Sequence, residues 1–269
     1  MSRSRLWIAL VVAVISLLGY FGKSAFNPIT QEKQHVAGIT PEQEVALGLQ
    51  AAPEMVQQFG GLDPDPQAQA RVQAIGERII SRSAAHQSPY QFEFHLLNDP
   101  ETINAFALPG GQVFITEGLL KRLETDGQLA GVLGHEVGHV VARHGAEHIA
   151  KQQLTQGLTG AAVMATYDPN DPNSRGSAAV AAMIGQLVGM RFGRQDELES
   201  DVLGVRFGSE AGYDPRSMIG LMKILDQSSQ GGRPPEFFST HPNPENRIQR
   251  IQAAIEARYP NGVPAGMEK

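Results

Sequence analysis

Cysteine is absent from the 269 residues. Its absence excludes disulfide staples, thiolate metal sites, cysteine nucleophiles and a lipid-modified N-terminal cysteine. Positive charge is also in short supply, with 22 Lys and Arg against 28 Asp and Glu and a formal net charge of -6. A mildly acidic balance without a basic stripe argues against nucleic acid as the main partner. No internal repeat is present, and the length fits one compact domain with a short appendage. Long apolar runs are missing too, except at the very start.

There, Arg3 and Arg5 precede an apolar run from Leu6 to Phe21 within MSRSRLWIALVVAVISLLGYFGKSAF. This is the layout of a secretory signal or a signal-anchor. The run falls slightly short of the about 20 apolar residues of a spanning helix, a deficit that tilt or bilayer thinning absorbs. Only the weak cleavage pattern GKSA, Gly22 to Ala25, follows it. An uncleaved anchor is therefore preferred over a removed signal and secretion. The arginines hold the N-terminus in the cytoplasm, so the remaining chain is expected on the extracytoplasmic side, periplasmic or equivalent. The organisation reads as a signal-anchor or signal peptide over 1–26, a polar tether over 27–39 and one domain over 40–269.

Within that domain, Thr40 and Pro41 start a helix that continues through PEQEVALGLQAAPEMVQQF, with Pro53 as a possible bend. QAQARVQAIGERIISRSA forms a second amphipathic helix through Val72, Ile75, Ile79 and Ile80. The period then changes. YQFEFHLL alternates as a strand with Phe92, Phe94 and Leu96 on one face, and NAFALPGGQVFIT reads as two short strands around Pro109-Gly110-Gly111. Thr116 or Glu117 opens a short helix, and Thr125 or Asp126 caps the next. Gln156 to Met190 is rich in Gly and Ala and contains the turn-rich YDPNDPNSRGS; it reads as a helical hairpin, with a mobile plug as the alternative. A long helix follows, or two helices meeting near Gly193. Asp214-Pro215 and Asn243-Pro244 are read as the starts of the last two. The fold class is α+β and mostly helical, with a small antiparallel-edged sheet.

GVLGHEVGHVVARHG, Gly131 to Gly145, is a poor composition for a helix that only packs. His135 and His139 stand four apart, about 6 Å along a helix axis and almost on one face, so both can meet one metal ion. Glu136 points obliquely past that ion, where it reaches a water without taking a coordination position. This is the HEXXH spacing of zinc peptidases. Gly131, Gly134 and Gly138 recur along the same helix. Each costs on the order of 1 kcal/mol against alanine, so close approach by another backbone is the expected compensation.

A catalytic zinc takes three protein ligands and keeps one position open. Without cysteine the third is His, Glu or Asp. RQDELESDVLG offers Glu197 as ligand, with Asp201 one turn on to accept a hydrogen bond from a ligand histidine and fix its tautomer. His144 stands five positions after His139, turned off the ligand face, and His148 lies farther on; both are read as structural or exposed. HEXXHXXGXXH is not formed, because Ala142 and Gly145 occupy its glycine and third histidine positions.

GHEVGHVVARH, FGRQDELESD, STHPNPENRI and NAFALPGGQVFITEGLL together resemble the HtpX, BepA and Oma-type membrane-linked zinc peptidases. That group is metallopeptidase family 48 of the gluzincin clan, and it also contains the type I CaaX prenyl endopeptidase. The likeness runs from Thr40 to Tyr259. It implies a zincin-like domain with one Zn2+, held by His135, His139 and Glu197. Glu136 becomes base and proton shuttle, and Asp201 supports the ligands. It also brings His241 and Arg247 to the site. His241 either steadies the oxyanion or fills the fourth zinc position; Arg247 orients or stabilises the tetrahedral intermediate. Asn104, Ala105, Phe106 and Ala107 are the candidate sheet edge to which an extended substrate adds as a strand. The resulting expectation is a membrane-anchored zinc metalloendopeptidase, a hydrolase acting on unfolded, damaged or precursor proteins in quality control. Its rival is a peptide-binding, chaperone-like module with a closed and weakly hydrolytic zinc site.

Overall fold

A computed structural model describes residues 3–22, 24–36, 38–166, 191–229, 235–243 and 246–269. The proposed plug or hairpin over 156–190 therefore lies largely outside the described residues. Helix α1, Arg3–Gly22, carries the N-terminal apolar run and packs along α6, His144–Thr166. Trp7, Ile15 and Leu18 remain exposed on it. Among the described residues, no helix is long and apolar enough to cross a membrane.

The segment expected to be an irregular tether contains a small antiparallel hairpin instead, β1 Ala25–Asn27 and β2 Glu32–Gln34. Two buried amides pin it to the body. Asn27 Nδ2 donates to the Val141 carbonyl at 2.7 Å, and Gln34 Nε2 donates to that of Ala142. These carbonyls belong to the end of a helix, where backbone acceptors lack intrahelical partners.

Helix α2, Pro41–Gln58, starts at a Thr40–Gln43 capping box and runs on through Pro53. Helix α3, Pro66–Arg82, is capped by Asp65 and buries Val72, Ile75 and Ile79, as its apolar period requires. Strands β3 Glu93–Leu97, β4 Ala105–Leu108 and β5 Gln112–Thr116 form a sheet in the order β3-β5-β4. β5 is parallel to β3 and antiparallel to β4, with Phe106 opposite Phe114. All residues of β5 are buried, as expected of a central strand covered on both faces. Gly110 and Gly111, with φ of 87° and 109°, make the β4–β5 turn in a region that disfavours other residues.

Thr116 caps the short α4, Glu117–Leu120, and Thr125 caps α5, Asp126–Val141. α5 crosses α7, Arg194–Glu210, which starts at Gly193, the boundary suspected from sequence. The remaining helices are α8 Ser217–Ser229, α9 Phe237–Thr240 and α10 Arg247–Arg258. Two starts differ from expectation. Asp214 Oδ1 accepts from the Arg216 N–H at 2.9 Å, and that local turn delays α8 to Ser217. α10 begins after Asn246, held at φ 64°, rather than at Asn243-Pro244; Pro244 itself lies outside the described residues.

The core joins α3, β3, β5, α5, α7 and α8 through residues such as Ile79, Leu96, Ile115, Leu133, Phe207 and Leu221. α5 is buried along almost its whole length. Its glycines explain how it fits. A Cβ on Gly134 would meet the Gly204 carbonyl oxygen at 3.3 Å, and one on Gly138 would meet the Ser200 carbonyl oxygen at 3.1 Å. The backbones of α5 and α7 therefore nearly touch, the compensation expected for glycine inside a helix.

Candidate metal centre

That close crossing sets HEVGH on α5 against ELESD on α7. His135, His139, Glu197 and His241 each offer a ligand atom, all within 4.8 Å of one another, and all four residues are buried. The Nε2 atoms of His135 and His139 are 3.0 Å apart. Glu197 lies 3.5 Å from the first and 3.4 Å from the second. His241, at the end of α9, brings Nδ1 to 3.1 Å from Glu197 Oε1 and 3.4 Å from His135 Nε2.

The donor set fits a divalent cation on evidence beyond spacing. His241 Nε2 and both carboxylate oxygens of Glu136 are buried without a hydrogen-bond partner among the described residues, and Glu197 Oε2 has no hydrogen bond, only the charge of Arg247 Nη2 at 3.2 Å. Burying such groups unsatisfied is costly, and a shared cation is the ordinary remedy. Imidazoles with a carboxylate and no thiolate match zinc's preferences.

The electrostatics are those of a ligand set. Burial depresses His139 well below its usual value, which keeps it neutral. Burial would also lower His135, yet hydrogen bonding and charge from Asp201 and Glu197 hold it up at about 9. Glu197 is pushed up by burial, but the charge of His241 and bonds from the histidines bring it well below the carboxylate range. Glu136 goes the other way: burial raises it, against the charges of His241 and His135. A carboxylate so raised holds a proton more readily than an ordinary one, as a proton carrier must.

Around this cluster stand the supporting groups. Asp201 Oδ1 is 3.0 Å from His135 Nδ1. Arg247 grips Asp201 with two bonds, Nε to Oδ2 at 2.7 Å and Nη2 to Oδ1 at 2.8 Å, and reaches Glu197 Oε2 at 3.2 Å. Two of its nitrogens are thus committed to bracing the acidic pair, and only Nη1 is left without a partner.

His139 has a support that the sequence reading did not assign. His144 is buried, the structural of its two expected places; its Nδ1 lies 2.9 Å from His139 Nδ1, and its Nε2 lies 3.1 Å from Glu199 Oε2. Five positions after His139 would turn His144 off the ligand face only in an unbroken helix. Arg143 instead adopts φ 59°, which ends α5, and α6 sets off in a new direction with His144 folded beneath His139. Arg143 is itself bonded to buried Glu44, which also accepts from Tyr90 Oη at 2.9 Å. Nothing in the sequence pointed to Glu44 as its partner. His148 is partly buried beside Asp196 at 3.3 Å, away from the ligand set.

Beside the cluster, β4 pairs with β5 on one edge only among the described residues. Asn104 precedes it, with Oδ1 buried and unpartnered. Ala105 and Phe106 are buried, and Ala107 is half-buried.

A HEXXH helix crossing an acidic helix beside a small sheet is the arrangement of a zincin-like metallopeptidase. The chain matches the model of Peptidase family M48 over residues 66–255 and belongs to that family. It is 35% identical over 214 residues to the beta-barrel assembly-enhancing protease of Escherichia coli (strain K12), an alignment covering 74% of this chain and 42% of that protein. To the mitochondrial metalloendopeptidase OMA1 of Schizosaccharomyces pombe it is 31% identical over 244 residues, 87% of this chain and 67% of the relative. OMA1 of Saccharomyces cerevisiae is 30% identical over 205 residues, 71% of this chain and 56% of the relative. The chain thus spans about two-fifths of the length of the first of these relatives, at 42%.

Proposed function

We propose that this protein is a zinc-dependent endopeptidase that cuts unfolded, damaged or precursor proteins as part of protein quality control. The observation that carries the reading is Glu136: a buried carboxylate with no hydrogen bond to either oxygen and only His241 Nε2 near it, 3.6 Å from Oε1, beside an imidazole and carboxylate cluster. A merely structural metal site would leave it without a task.

His135, His139 and Glu197 would hold the zinc, which when bound supplies Lewis acidity toward water and the scissile carbonyl. Asp201 orients His135, and Arg247 keeps Asp201 and Glu197 in place. Glu136 takes the proton of the attacking water and delivers it to the leaving amine. Nη1 of Arg247, which has no hydrogen-bond partner, and Nε2 of His241, 3.6 Å from Glu136 Oε1, are the candidate donors for the oxyanion. An extended substrate lies along the open edge of β4, where Asn104 Oδ1 accepts a backbone N–H. Such pairing reads little sequence and suits unfolded chains. The exposed apolar face of α1, with Trp7 67% and Leu18 65% accessible, supports membrane attachment, and Arg3 and Arg5 ahead of its apolar run favour an extracytoplasmic catalytic domain.

A second reading has its own observation. His241 Nδ1 sits within ligand distance of the cluster, so His241 can occupy the fourth position and close the site. The protein would then bind peptides and hydrolyse them weakly.

The test is cleavage of an unfolded protein by the full chain in detergent, beside Glu136→Gln, with metal counted in both. One zinc in each and cleavage by the parent alone supports the peptidase. If both hold zinc and neither cuts, cleavage gained in His241→Ala establishes the closed site, and no gain refutes the peptidase reading.

A further inference from the structure

Next to His241, a cavity of about 70 Å³ opens under the edge of β4. Its apolar walls come from three places: Met55 and Phe59 at the end of α2, Phe106 and Leu108 on β4, and Phe192 ahead of α7. The walls are held in place. Phe106 stacks on Phe114 at 4.9 Å and lies 5.4 Å from Phe59. Phe192 stacks on the ligand His139 at 3.9 Å, and its N–H donates to the Thr240 carbonyl at 3.0 Å. Asn104, with its unpartnered Oδ1, lines the same cavity.

We infer that this cavity receives one apolar side chain of the substrate strand beside the scissile bond, and that α2 sets its size. The inference rests on the peptidase reading and deepens it by naming a substrate class. A strand laid along β4 turns alternate side chains toward the same face. The one lying over Phe106, nearest His241, enters the cavity. A water-sized group fills about 10–15 Å³ of such volume, so the space takes about five heavy atoms. Leucine, isoleucine and methionine fit; an indole does not. An acidic side chain would lose its hydration against the aromatic and aliphatic walls and meet the carboxylate of Glu236, which lines the same cavity. Met55 and Phe59 both lie ahead of residues 66–255, the part matched by the family model.

The experiment profiles cleavage of a peptide library by the full chain and by Phe59→Ala, and measures binding of Leu- and Trp-bearing peptides to Glu136→Gln with and without Phe59→Ala. The expected result is one position flanking the cut where Leu, Ile or Met exceeds Trp by about 10–100-fold. Phe59→Ala abolishes that discrimination and leaves the other positions unchanged; Met55→Phe, which narrows the cavity, moves the preference toward Val and Ala. A parent without apolar preference at any flanking position, or a profile untouched by both variants, overturns the inference. If the parent cuts nothing yet Glu136→Gln discriminates Leu from Trp and loses this with Phe59→Ala, the cavity stands and the peptidase reading falls. If neither cutting nor binding discriminates, the cavity assignment falls.

Discussion

Gly204→Ala tests whether the α5–α7 crossing creates the metal centre. The added Cβ would stand 3.0 Å from the His135 backbone nitrogen and 3.3 Å from the Gly134 carbonyl carbon. Both are backbone atoms of the buried helix that carries the ligands, so neither can rotate away. Alanine gains about 1 kcal/mol in helix propensity over glycine. Overpacking against a fixed neighbour costs about 1–3 kcal/mol. The net is a loss of about 1 kcal/mol, or about 2–4 °C in Tm for a chain of this size. Gly208 supplies the control on the same helix, because a Cβ there meets nothing within 4 Å. Gly208→Ala should stabilise by about 1 kcal/mol. Prying α7 away also separates Glu197 from His135 and His139, so zinc affinity should fall about 10–100-fold in the first variant alone. Thermal unfolding and competition with a chelator read both effects. If Gly204→Ala stabilises as Gly208→Ala does and zinc affinity is unchanged, the close crossing does not govern the site.

The other predictions concern the groups around the ligands. His144→Leu should weaken zinc binding about 10–100-fold, whereas His144→Asn, whose amide oxygen can accept from His139 Nδ1, should recover most of it; equal losses in a chelator competition would refute the tautomer-fixing role. Because Asp201 and Glu197 hold His135 up at about 9, zinc must displace its proton, and affinity should rise up to about tenfold per pH unit from 6.5 toward 9. The sign for the metal-free protein is opposite. The stability contributed by charged His135 is fully present below its ordinary 6.5 and is lost as pH rises through about 9, which denaturant titration across that window would measure. Arg143→Met strands buried Glu44 and should cost about 3–5 kcal/mol, with Glu44→Gln added in the same chain restoring part of it. A loss below 1 kcal/mol in chemical unfolding would show that the pair contributes little.

Local signals made much of this molecule legible. Thr40-Pro41, Thr116 and Thr125 mark helix starts because a side-chain oxygen facing free backbone N–H groups needs only neighbours in sequence. The Gly110-Gly111 turn and the alternation in β3 are equally local, and so is the i, i+4 spacing that aligns His135 with His139. The lack of cysteine narrowed the third ligand to His, Glu or Asp before any fold was known. The polar segment ahead of α2 misled because its order comes from Asn27 and Gln34 bonding to carbonyls more than a hundred residues away. The place of His144 beneath His139 was not legible because one left-handed residue, Arg143, resets the helical phase, and nothing in an arginine announces that. Tertiary structure alone decided that Glu199 anchors His144, that Arg247 spends its hydrogen bonds on Asp201, and that Met55 and Phe59 wall a cavity beside His241. The sequence by itself determined which side chains can bind a cation and move a proton, because that chemistry resides in residue type and helical pitch. What surrounds them depends on which distant backbones approach closely enough to touch, and that is settled only when the whole core packs.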